Sequence, residues 1–85
     1  MSILDSLPSG WLIDPMGDRM ILFIKDPMSL KNSPKFYMDR WSAINGSRSK
    51  FKNRKILIEE DAIRIWNNLI EDGWNKFESL GPKAA

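Results

Sequence analysis

The chain has 85 residues, 13 Lys and Arg against 11 Asp and Glu, a net charge of +2, and neither cysteine nor histidine. That size holds one domain, which buries only roughly 60 to 65% of its unfolded surface, so the core is small. Lacking both residue types, the chain has no disulfide, no Cys/His zinc site, no thiol nucleophile and no imidazole base.

Met1 to Ser9 is expected to be a loosely ordered lead unless Leu4 or Leu7 docks. It has neither the basic start nor the long apolar middle of a secretory signal. The longest apolar run, Met20 to Ile24, is too short to span a bilayer, so the expectation is a soluble cytoplasmic protein with no membrane partner. The domain proper is expected over residues 10–80, with 81–85 as a flexible tail.

Gly10 to Ile13 and Arg19 to Lys25 read as strands joined by Asp14-Pro15-Met16-Gly17, which carries the Asp, Pro and Gly preferences of a type I turn. Both faces of the second strand are apolar, which places it in the middle of a sheet, or else with one side against the helix and the other against a loop. Asp26 to Pro34 is rich in Pro, Ser and Asn and is longer than a usual hairpin loop, so the third strand is not expected to be a simple tight-turn neighbour. Lys35 to Ala43 alternates as strand three. Asn45-Gly46 then gives a type I′ hairpin signal into a fourth strand, Arg48 to Lys52, with Arg48, Lys50 and Lys52 outward and Phe51 inward.

Glu59 to Trp74 is the most legible stretch. Ala62, Ile65, Trp66, Leu69 and Ile70 recur at steps of three and four and share one helical face. Glu59, Glu60 and Asp61 sit at the positive end of the helix dipole, and Gly73 followed by Trp74 reads as a Schellman ending with Trp74 folded back on Leu69. Ile58 occupies the N-cap position without a side-chain oxygen. Asn75 to Leu80 reads as a last short strand. The expected fold is α+β, a small curved antiparallel sheet of three to five strands with one amphipathic helix, about 59–73, packed across it. Its core is expected to draw on Trp11, Leu22, Trp41, Ala62, Trp66, Leu69 and Trp74, with the four tryptophans sharing one interior.

Charge is polarised along the chain. In residues 1–30, Arg19 and Lys25 oppose Asp5, Asp14, Asp18 and Asp26, a net of −2. In residues 31–55, Lys31, Lys35, Arg40, Arg48, Lys50, Lys52, Arg54 and Lys55 oppose Asp39 alone, a net of +7. From residue 56 onward, Arg64, Lys76 and Lys83 oppose six carboxylates, a net of −3. Arg40, Arg48, Lys50, Lys52, Arg54 and Lys55 are therefore the candidate binding surface, with Trp41, Tyr37 or Phe51 available to stack. Nucleic acid is the first expected partner and an acidic protein surface the second. The third reading is a solvated edge strand whose cations discourage aggregation. A homo-oligomer would instead use Ile21, Phe23 or Tyr37 at its interface.

No catalytic residue, cofactor or metal ligand stands out, and an enzyme is not expected. Asp14 and Asp18 flank a turn but lack the dense oxygen donors of a hard-cation site, the acids at 59–61 are explained by the helix dipole, and the five glycines are isolated rather than clustered as a phosphate loop.

Three segments, Gly10-Trp11-Leu12-Ile13-Asp14-Pro15, Asp39-Arg40-Trp41 and Glu59-Glu60-Asp61-Ala62 with Leu69 and Gly73-Trp74, resemble a family of short cyanobacterial proteins, also found in their phages, known only as a domain of unknown function. The likeness spans Gly10 to Trp74. In that family Ser or Thr commonly precedes the helix and the region before it is basic; this sequence departs at Ile58. Its Ile, Asn and Lys usage suits the AT-rich genome of a marine picocyanobacterium or cyanophage. The resemblance implies a source and no activity. A looser analogy of shape links it to plant DNA-binding domains that read the major groove with a three-stranded sheet.

Overall fold

The computed structural model describes residues 8–77. Five strands and one helix follow in the order β1 (Gly10–Ile13), β2 (Arg19–Lys25), β3 (Lys35–Ile44), β4 (Ser47–Ile58), α1 (Glu59–Glu71) and β5 (Asn75–Phe77). All pair antiparallel in one sheet of order β4-β3-β2-β1-β5, and the helix lies across one face. The architecture is the expected α+β one. Leu4, Leu7, residues 78–80 of the expected last strand and the tail at 81–85 lie outside the described residues.

Strand β2 is central, the first of the two arrangements its apolar faces allow, with Met20, Ile21 and Phe23 all buried. The turn before it is built by Asp14. Its carbonyl accepts the Gly17 N–H at 3.1 Å, while its buried Oδ1 accepts the N–H groups of Asp18 at 2.8 Å and Arg19 at 3.0 Å. This turn also touches the next hairpin. Gly46 donates its N–H to the Gly17 carbonyl at 3.3 Å, and Gly17 lies so close that an added Cβ would sit 3.4 Å from Gly46 N.

The long 26–34 connection does not displace strand three. β3 pairs directly with β2 from Arg19↔Ser42 to Lys25↔Phe36. Two local turns take up the extra length: Asp26 accepts from Met28 and Ser29, and Leu30 bridges to Ser33. The Asn45-Gly46 turn is as expected, with φ of 51° and 81° and Ile44 paired to Ser47.

The fourth strand is far longer than the expected 48–52, running 12 residues from Ser47 to Ile58 straight into the helix. Register against β3 shifts twice, between Arg40 and Trp41 and between Trp41 and Ala43. Each shift is a bulge that breaks strict alternation.

The helix starts at Glu59 after Ile58, whose φ of −78° and ψ of 160° fit a cap but whose side chain offers no hydrogen bond. Its end is a Schellman motif: Trp74 N–H donates to Leu69 O at 3.0 Å and Gly73 N–H to Ile70 O at 3.1 Å, with Gly73 at φ +101°. Ala62 and Trp66 are buried, and Ile65, Leu69 and Trp74 pack around them, but Ile70 is exposed because the stripe that meets the sheet is narrower than the apolar pattern.

The core under the helix comprises Leu12, Ile21, Phe23, Met38 and Trp66, with Phe23 and Trp66 in an edge contact at 5.1 Å. The tryptophans do not share it. Strand parity places Trp11, Leu22 and Trp41 on the opposite face, where all three are half-buried. The sheet thus has two apolar faces, and the helix covers one. Ile21 and Phe23, expected at a subunit interface if the chain oligomerises, are instead buried in this core.

Candidate nucleic-acid interface

The six basic residues of the candidate surface all lie on β3 and β4, and all six are exposed. Among the described residues β4 pairs only with β3, so it forms one margin of the sheet. The two bulges then divide its cations between the faces. Arg48, paired with Ala43, and Arg54, paired with Asp39, stand on the face away from the helix; Lys55, paired with Met38, stands on the helix face. Lys52 falls at the first bulge and lines a cavity on the helix side together with Arg40. Lys50 lies at the second, where its backbone N–H donates to Ser42 Oγ at 3.1 Å.

Away from the helix, aromatic rings and arginines interleave. The Arg48 guanidinium carbon is 5.2 Å from the Trp11 ring centre and 5.0 Å from that of Trp41. Those rings meet edge to face at 6.1 Å, and Trp41 meets Phe51 likewise at 5.4 Å. Phe51, expected to point inward, is 49% exposed at the outer end of this row. The indole N–H of Trp41 is buried and has no acceptor among the described residues.

Arg54 is held differently. Its Nε and a terminal nitrogen lie 2.6 and 2.8 Å from the two carboxylate oxygens of Asp39, and its guanidinium carbon lies 4.1 Å from the Tyr37 ring centre. Hydrogen bonding to the Asp39 carboxylate raises the Arg54 pKa above arginine's ordinary value, outweighing partial desolvation. Charge at Arg54 is therefore matched within the fold, which nothing but the β3–β4 register could reveal. By contrast, Arg40, Arg48, Lys50, Lys52 and Lys55 form no ion pair with another described residue.

Other sequence candidates are accounted for by local structure. The Asp14 carboxylate is occupied by backbone donors, and Asp61 pairs with Arg64 at 2.8 Å on the helix surface. Among the described residues no three acidic side chains gather to hold a metal ion, and no helix is long and apolar enough to cross a membrane.

A family model described as "protein of unknown function", DUF1651, matches residues 9–80. The chain belongs to the DUF1651 family. That match covers every strand, the helix and the whole basic hairpin, so these features are parts of the family's domain rather than an appendage to it. No curated protein and no solved structure matches the chain.

Proposed function

We propose that this DUF1651 protein is a non-catalytic module that binds single-stranded nucleic acid along the β3–β4 hairpin. The observation that carries this reading is Arg48, without an ion-pair partner among the described residues, set against Trp11 and Trp41 in an aromatic row that ends in the half-exposed Phe51, on a strand at the sheet margin that also carries Lys50, Lys52 and Lys55. A strand of nucleic acid lying along β4 meets cations for its phosphates and a ring on which a base can stack, the combination that sequence-tolerant single-strand binders use. The acids of the helix are clustered at its two ends, Glu59 to Asp61 following directly on the C-terminal end of β4, so the path runs over the part of the strand nearer the Asn45-Gly46 turn. Residue usage and the spread of the family resemblance support a source in a cyanobacterium or its phage, and the absence of a transmembrane helix among the described residues is consistent with work in the cytoplasm.

The test is fluorescence anisotropy of labelled single-stranded and duplex oligonucleotides as salt is raised. Engagement of about four phosphates on a single strand gives a log–log salt slope of roughly −3. Charge reversal at Lys50, Lys52 and Lys55, none of which forms an ion pair with another described residue, abolishes binding. Silence at low salt, or binding indifferent to that triple change, removes the proposal.

A second reading rests on a separate observation. Ile24, Ile56 and Ile58 are 38, 63 and 46% exposed at one end of the same face, and the outer backbone edge of β4 is without a strand partner among the described residues. Such an edge accepts an added strand from an acidic protein or a second copy. Sedimentation showing a concentration-independent monomer counts against self-association.

A further inference from the structure

On the helix side of the sheet, a cavity of about 290 Å³ opens between α1 and strands β2 to β4. Ile21, Met38, Ile65, Leu69 and Trp74 supply its apolar wall. Arg19, Arg40 and Lys52 also line it, and no carboxylate does.

This convergence follows from the register. Ile21 pairs with Arg40 and Arg19 with Ser42, so both arginines project from the helix face as diagonal neighbours, and the bulge beside Trp41 brings Lys52 to the same opening. Three like charges at one mouth repel one another. Arg19 has a partial counter-charge in Asp14 at 3.8 Å, but Arg40 and Lys52 have none among the described residues. An anion there would relieve the repulsion, and an apolar body attached to it would occupy the space that the helix leaves above Ile21 and Met38.

We infer that this cavity is a binding site for a compact hydrophobic carboxylate, its tail against Leu69, Ile65 and Trp74 and its carboxylate between Arg40 and Lys52. At about 30 Å³ for each water-sized unit, the volume holds roughly ten heavy atoms, the size of an eight-carbon acid. It lies at the small end of ligand pockets, which excludes long-chain lipids and nucleotides from full enclosure. The site opens on the face opposite Arg48, Trp11 and Phe51, shares only Lys52 with the proposed nucleic-acid path, and does not require that nucleic acid bind.

The experiment uses the full chain with octanoate, octanol and octylamine as probes, followed by titration calorimetry and by amide and indole chemical shifts. Octanoate is expected to bind and to shift Trp74, Leu69 and Arg40, with octanol weaker and octylamine weakest. Arg40→Gln with Lys52→Gln, both at exposed positions, weakens octanoate by about tenfold and leaves octanol unchanged. Ile65→Phe, which fills the cavity from the helix, weakens octanoate and octanol together. Equal affinity for octanoate and octylamine, shifts confined to the opposite face, or no binding by the wild-type chain would each overturn the assignment.

Discussion

Arg54 grips Asp39 through both carboxylate oxygens, at 2.6 and 2.8 Å, across the β3–β4 pair while its guanidinium carbon lies 4.1 Å from the Tyr37 ring centre. Asp39 is 5% exposed and is the sole acid of the basic hairpin, so one arginine of the apparent binding strip serves the strand pairing itself. Removing Arg54 leaves a buried carboxylate with no partner; removing both charges leaves none. Arg54→Ala and Asp39→Asn are each expected to lower the urea midpoint, and the double change to lower it by less than their sum. Since the pairing raises the Arg54 pKa, the guanidinium's contribution is complete below arginine's ordinary range and is lost only as pH rises through the raised value. A midpoint for Arg54→Ala relative to wild type that is constant in salt and unaffected by Asp39→Asn would show that the pair is idle.

The first turn rests on Asp14. Its Oδ1 accepts two backbone N–H groups while the side chain is almost wholly buried, so Asp14→Ala strands those donors at a cost of about 1–3 kcal/mol. Asp14→Asn keeps an acceptor at the same atom and is expected to retain most of that stability. Chemical denaturation of both variants separates the hydrogen-bond role from a charge role, because equal losses in the two would point to charge.

At the helix start a stabilising change is available. Ile58 has the backbone angles of a cap, is 46% exposed and makes no cap hydrogen bond, so Ile58→Thr supplies the missing oxygen while keeping a β-branched residue at the end of β4. The expected gain is about 0.5–1 kcal/mol, read as a higher midpoint in thermal or urea unfolding. No gain would mean that contacts of the Ile58 side chain outweigh the cap.

How far residues announce their own structure depended on the range of the interactions involved. The helix from Glu59, its acidic first turn and its Gly73-Trp74 ending were legible because each is set by neighbours within one or two turns. The Asn45-Gly46 turn was legible for the same reason. The length of β4 was not: Asn53-Arg54-Lys55 reads as polar surface, and only pairing with β3 makes it strand. A signal was nonetheless present in Ile56-Leu57-Ile58, a short apolar run rich in β-branched residues that reaches the helix, of which Leu57 packs against the core.

The basic character of residues 31–55 was determined by the sequence alone, and so was the amphipathic helix that caps the sheet, since charge and a 3.6-residue period are properties of the chain. Which cations remain available was decided only by tertiary structure. Two bulges in β4 send Arg48 to the tryptophans, Lys52 to a cavity and Arg54 to Asp39, because a shift of one residue exchanges the faces on which side chains emerge. The same parity separates Trp11 and Trp41 from Trp66 and Trp74, giving two aromatic clusters where composition pointed to a single core.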